Sequence, residues 1–171
     1  MHKKGDVNDV NNNRPISFLP ILSKILGSAM LDQIVKHLAF HNLISVSQYG
    51  FRKGLSTKKA ILSFINNVTI AFQNKGYTAA SFLDLSKAFD CMSHDILIRK
   101  LSCYKFHSTA IKLLQSYLSD RIQIVNAEGV SSEVMKLNYG VPQGSILGPV
   151  LFLCMLTICL LFWQIIYSVC R

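Results

Sequence analysis

The chain has 171 residues, of which 50% are apolar and 16% are charged, and its formal net charge is +9. This composition excludes a disordered chain and is sufficient for one domain with a hydrophobic core. The five cysteines form no CxxC pair and no zinc-type cluster with histidine, which favours unpaired thiols in an intracellular, reducing compartment. The polar N-terminal stretch MHKKGDVNDVNNN does not have the form of a signal peptide.

Positive charge is concentrated in one interval. No Asp or Glu lies between Asp32 and Asp84, and the interval contains six cations: Lys36, Arg52, Lys53, Lys58, Lys59 and Lys75. Such a stretch favours a polyanionic partner. A solvated, lysine-rich surface without a partner is the alternative.

The N-terminal half predicts a hairpin followed by two helices. HKK and RPISFLP flank a Gly/Asp/Asn-rich stretch that is typical of a long hairpin loop, and residues 23–42 have apolar positions at helical spacing. Ser56 or Thr57 can cap a second helix that ends near Gly76. One face of that helix is apolar, formed by Ile61, Phe64, Ile65, Val68 and Phe72.

The C-terminal half mixes strands and helices. TAASFLDL, residues 78–85, predicts a largely buried strand. Ser93 can cap a short helix that runs to about Tyr104, and another helix is predicted from Ser108 to Leu118. RIQIVNA and VMKLNYG predict a hairpin. The pattern as a whole predicts an α+β fold.

The tail from Val150 to Cys170 is 21 residues long and carries no formal charge. It is long enough to cross a bilayer as a helix, and it is apolar on every face, with too little remaining chain to bury it. Three interpretations remain open: a transmembrane helix with membrane association, a core helix lengthened by chance, and a change of reading frame.

Asp84 stands near the end of the predicted strand. A desolvated carboxylate is costly without a partner, and the simplest partner is a hard cation such as magnesium. The alternative is that Asp84 caps the following turn or pairs with Lys87. Phe89 could form an apolar wall beside the carboxylate or pack in the core. We interpret Asp90 and His94 as capping or hydrogen-bonding residues.

Four motifs occur in order: RPISFLP, QYGFRKGLST, FLDLSKAFDCMSHDIL and GVPQGSILGPVLF. Together they resemble the reverse transcriptase domain of LINE-like, non-LTR retrotransposons, over about His2 to Phe152. The resemblance implies part of a right-hand polymerase, with fingers at about 1–76, a palm at about 77–152 and no thumb. It also implies an RNA template, a DNA primer, deoxynucleoside triphosphates and Mg²⁺ as partners.

The same resemblance implies roles for individual residues. Asp84 matches the catalytic, metal-binding Asp, with the Leu85 carbonyl beside the same metal, and Phe89 matches the aromatic that excludes a ribose 2′-hydroxyl. The other nucleotide-binding residues that it implies are Lys4, Arg14, Arg52, Gln143 and Gly144. A structural loop is the alternative for the segment around Arg52, and an ordinary turn is the alternative for Gln143 and Gly144.

One departure from the family concerns the metal. The family has an Ala-Asp-Asp hairpin beyond the Pro-Gln-Gly motif, whereas none of the 28 residues after Gln143 is acidic. A lone Asp84 would leave most metal ligands to water. We therefore expect a partial reverse transcriptase domain that is inactive alone. The alternatives are an inactive nucleic-acid-binding remnant and a tail-anchored membrane fragment.

Overall fold

The computed structural model describes residues 17–85, 87–127 and 129–163. The helices in this part are α1 (Ile21–Phe40), α2 (Thr57–Gln73), α3 (His94–Cys103), α4 (Ser108–Leu118) and α5 (Gly148–Trp163). The strands are β1 (Arg121–Gln123), β2 (Asn126–Ala127), β3 (Val130–Ser131) and β4 (Met135–Leu137). β1 pairs antiparallel with β4 and β2 with β3, which gives two small two-stranded sheets. Helices combined with a small amount of sheet agree with the α+β prediction.

α1 lies within two residues of the predicted helix at each end. It starts after Pro20, whose backbone is extended. It stops at Phe40 because Asn42 adopts a positive φ of 52° and the Leu43 amide turns back to donate to the Leu38 carbonyl at 2.9 Å. This is the usual geometry of a helix C-terminus.

α2 has the predicted cap, and its apolar face is only partly covered. Ser56 Oγ accepts a hydrogen bond from the Lys59 amide at 3.4 Å, and the Gly76 amide closes the last turn on the Ala71 carbonyl at 2.8 Å. Ala71 is the one buried residue of the helix. Phe72, on the predicted apolar face, is 81% exposed. Phe64, on the same face, is half-buried, and its ring centroid lies 5.9 Å from that of Phe82, so the described residues cover this face only in part.

The prediction of a buried strand at 78–85 is wrong. Residues 77–85 have no regular secondary structure and are exposed. A strand is stable when its backbone groups pair with a neighbour, and no described segment lies alongside to provide that ladder. The apolar residues here therefore face solvent.

The predictions for residues 93–140 are confirmed. Ser93 caps α3 through a bond from the Ile96 amide to its hydroxyl at 3.4 Å, and α4 has the predicted bounds. The hairpin forms as two short ladders, in which Arg121 pairs with Leu137 and Asn126 pairs with Ser131.

The core forms between α1, α3, α4 and the first half of α5. Leu97 and Leu101 of α3 and Leu151 of α5 are each 0% exposed. The cluster also contains Ile34, Leu38, Met92, Tyr104, Leu114, Leu118, Val141, Leu147, Val150 and Cys154. The expectation that the tail has nothing to pack against is therefore wrong for its first two turns, because α5 packs mainly against α3 and also contacts α1.

Polar side chains also hold α5 against the core. The Tyr104 hydroxyl donates to the Cys154 carbonyl at 3.1 Å, and Lys100 Nζ donates to the Met155 carbonyl. Burial raises the pKa of the Cys154 thiol to about 12, so this thiol stays protonated at neutral pH. No helix in the described residues is both long and apolar enough to span a bilayer, and residues 164–170 of the predicted span lie outside that part.

Candidate nucleotide site

The loop from Gly140 to Gly144 lies against the turn at Phe89–Met92. The Gly140 amide donates to the Met92 carbonyl at 2.7 Å, and the Val141 amide donates to the Phe89 carbonyl at 3.0 Å. Gly140 has a φ of +80°, and a Cβ added there would lie 2.9 Å from Asp90 Cα and from the carbonyl oxygens of Phe89 and Asp90. Only glycine fits this approach.

Gln143 connects three of the sequence motifs. Its side-chain Nε2 donates to Asp90 Oδ1 at 3.0 Å, and its backbone carbonyl accepts from the Ser17 amide at 2.9 Å. Residues from RPISFLP, from SKAFDC and from GVPQG therefore meet at one place.

The ring of Phe89 lies between two other aromatic rings. Its centroid is 4.7 Å from that of Phe152 and 6.1 Å from that of Phe51, which belongs to the QYGF motif. Phe89 remains half-buried rather than buried. The ring thus packs at the edge of the core, which agrees with the core interpretation, while its role as a wall beside a ligand stays a prediction.

Arg52 is half-buried and connected to its own loop. Its NH1 donates to the Ser45 carbonyl at 3.0 Å and to the Gln48 carbonyl at 3.3 Å. These contacts fit the interpretation of QYGFRKG as a structural loop. The other guanidinium nitrogens make no hydrogen bond to any described residue and are free to bind an anion.

A family model for reverse transcriptase (RNA-dependent DNA polymerase) matches residues 1–165. The chain belongs to the reverse transcriptase family. It is 33% identical to the RNA-directed DNA polymerase from mobile element jockey of Drosophila melanogaster and 34% identical to the probable RNA-directed DNA polymerase from transposon BS of the same species. Each match covers 89% of this chain and 17% of the relative's length.

A further relative is more distant in sequence. The chain is 28% identical to the retrovirus-related Pol polyprotein from type-1 retrotransposable element R2 of Popillia japonica, over 88% of this chain and 21% of that protein. The relatives are retroelement proteins, which agrees with the non-LTR resemblance of the four motifs.

The family's metal is not accommodated by the described residues. Asp84 is exposed, makes no hydrogen bond or ion pair with any described residue, and in particular does not pair with Lys87. Leu85 is 57% exposed. The described part contains no group of three or more acidic, His or Cys side chains that could hold a metal ion, and one carboxylate with one carbonyl would leave most of the Mg²⁺ ligand positions to water and substrate oxygens.

Three predicted nucleotide-binding residues remain: Lys4, Arg14 and Gly144. Lys4 and Arg14 lie outside the described residues. Gly144 is exposed and has a φ of +95°, a backbone conformation that residues with a side chain disfavour.

Gly140 is not among the residues predicted from the sequence. The available signal is that it is the last residue of the predicted strand VMKLNYG, because glycine at such a position often marks a close approach of two backbones.

Proposed function

We propose that the chain forms the fingers, at about 1–76, and part of the palm, at about 77–152, of a retroelement reverse transcriptase. In this proposal the surface around Phe89 and Gln143 binds the incoming deoxynucleoside triphosphate beside an RNA template and a DNA primer. The observation that carries the proposal is the convergence of Ser17, Phe51, Phe89 and Gln143, one from each motif, within a single set of contacts.

Each residue has a chemistry that suits this role. Phe89 offers a flat apolar wall against the sugar, where an extra 2′-hydroxyl would collide with the ring or lose its hydrogen bonds. Gly144 allows the nucleotide to approach the backbone, and the unused nitrogens of Arg52 suit phosphate oxygens. We assign Lys4 and Arg14 to the triphosphate as well. Asp84 and Leu85 would contribute to a magnesium site that needs further carboxylates.

The test is selection between deoxy- and ribonucleotides. We expect the purified chain to prefer dCTP over CTP, and Phe89→Val to reduce that preference by about ten- to a hundredfold, because the smaller side chain admits the hydroxyl. Competition against a fluorescent deoxynucleotide measures both affinities. Phe40→Val, at the exposed end of α1, is the matched control. An unchanged preference in Phe89→Val would contradict the proposal.

A second candidate function is nucleic-acid binding without catalysis. Lys53, Lys58, Lys59 and Lys75 are exposed, and no acidic side chain lies among residues 33–83. Contacts between such lysines and phosphates release counterions, so the affinity depends on salt and only weakly on sequence.

We expect binding of single-stranded RNA to weaken roughly 50-fold between 50 and 200 mM salt if about four phosphates are contacted. Replacing Lys53 and Lys58 together by Gln should reduce this salt dependence. Replacing Lys105 and Lys112 by Gln should leave the salt dependence unchanged, because these lysines are exposed but lie outside residues 33–83. Affinity that does not change with salt, measured by fluorescence anisotropy, would reject this function.

A further inference from the structure

Two side chains of one short segment hold the loop Gly140–Gly144 at both ends. Asp90 accepts the hydrogen bond from Gln143 Nε2 at 3.0 Å near the end of the loop. His94 Nε2 lies 2.7 Å from the Gly140 carbonyl at its start. Neither Asp90 nor His94 belongs to the residues assigned above to nucleotide binding.

The hydrogen bond that Gln143 donates to Asp90 determines how the side-chain amide of Gln143 is oriented. An ionised carboxylate can only accept hydrogen bonds, so the NH₂ group of Gln143 must face Asp90. The Oε1 atom then points away from Asp90 and is available as an acceptor. Without the carboxylate, the two orientations of the amide would differ little in energy, since water satisfies either.

The bond from His94 fixes the start of the loop to a rigid element. A carbonyl oxygen only accepts, so Nε2 of His94 carries the proton in this contact. His94 is the first residue of α3, which is capped by Ser93 and anchored in the core by the fully buried Leu97. The loop therefore takes its position from α3.

We propose that Asp90 and His94 are positioning residues for the nucleotide site. Asp90 orients the Gln143 amide so that Oε1 is presented to a donor group of the bound nucleotide, and His94 holds the loop that carries it. This inference rests on the proposed function, because Gln143 acts on a nucleotide only if the site binds one.

The orientation is tested without a ligand. In the ¹⁵N-labelled full chain, Asp90→Ala should shift the Gln143 side-chain NH₂ resonances and speed the exchange of these protons with water about fivefold or more. Asp95→Ala removes the same charge from an exposed position in the first turn of α3 and should leave those resonances in place. Unchanged Gln143 signals in Asp90→Ala would overturn the role of Asp90.

The functional consequence is tested by a double-mutant cycle on dCTP affinity. Asp90→Ala should weaken dCTP binding about three- to tenfold in the wild-type background and cause no further loss when Gln143 is already Ala. If Asp90→Ala weakened dCTP binding equally in the wild-type and Gln143→Ala backgrounds, the proposal that Asp90 acts through Gln143 would be overturned. A wild-type chain that binds no nucleotide would overturn the proposed function. It would not decide the role of Asp90, because the NMR comparison tests separately whether Asp90 orients the Gln143 amide.

The role of His94 is tested by rescue. His94→Ala should speed amide hydrogen exchange at Gly140 and Val141 about fivefold or more, whereas His94→Gln, which keeps a donor in reach of the carbonyl, should restore slow exchange. Exchange that is equally fast in both variants would overturn the role of the donor. Exchange that remains slow in both would show that α3 does not hold the loop through this bond.

Discussion

Gly140→Ala is expected to lower the free energy of unfolding by about 2–4 kcal/mol, as is typical where a side chain meets both backbone strain and a steric clash. The φ of Gly140 is +80°, and the new Cβ would lie 2.9 Å from backbone atoms of Phe89 and Asp90. Because those atoms belong to the backbone, no side-chain rotation can relieve the contact. The loop would have to move away and lose its bonds to Met92 and Phe89.

Gly54→Ala is the matched control for this prediction. Gly54 has nearly the same φ, +78°, but no atom lies within 4 Å of the added Cβ. This substitution therefore carries only the backbone strain, about 1 kcal/mol. Urea unfolding of both variants, followed by circular dichroism, separates the two effects. Equal destabilisation would mean that the close approach of Gly140 to Asp90 contributes nothing.

Local signals in the sequence were sufficient for most of the helices. Ser56 and Ser93 cap α2 and α3 as predicted, because a serine hydroxyl satisfies an amide that the first turn leaves unpaired. The bounds of α4 also follow from apolar spacing alone. These features depend on residues within a few positions of each other, so the sequence contains them directly.

Features that depend on distant partners could not be predicted in the same way. The apolar pattern of residues 78–85 has the composition of a buried strand, but a strand also needs a neighbour for its backbone, and none is present among the described residues. The same limit applies to α2, because the apolar spacing predicts its apolar face but does not reveal how much of that face is covered in the fold. Conversely, Leu151 is buried because α5 packs against α3 and α1, which the composition of the tail does not reveal.

The candidate site was predicted through the resemblance rather than through physical rules. Gln143 in a Pro-Gln-Gly turn has no distinctive signal by itself. Its bond to Asp90 joins residues 53 positions apart, and no local pattern encodes such a pair. The resemblance implies that Phe89 and Gln143 lie in one pocket, and the structure brings their segments together, whereas it leaves Asp84 exposed and without a hydrogen bond or ion pair to the described residues.

The purified 171-residue chain is expected to catalyse no template-dependent nucleotide incorporation, with either Mg²⁺ or Mn²⁺. Phosphoryl transfer needs fixed positive charge at the attacking and leaving oxygens, and carboxylates hold the metals that provide it. The described residues contain no group of three or more acidic, His or Cys side chains that could hold a metal ion, and no acidic residue follows Gln143. Losing several kcal/mol of this stabilisation slows the reaction by at least about a thousandfold.

Extension of a labelled primer on an RNA template measures this activity, with dCTP affinity measured on the same sample. Retained affinity without extension would locate the defect in the metal site rather than in folding. Asp84→Ala serves as the control, and because Asp84 is exposed and makes no described contact, we expect this change to alter the free energy of unfolding by less than about 0.5 kcal/mol. Primer extension by the wild-type chain that disappears in Asp84→Ala would contradict the prediction, since it would mean that one carboxylate and water are sufficient to hold the metals.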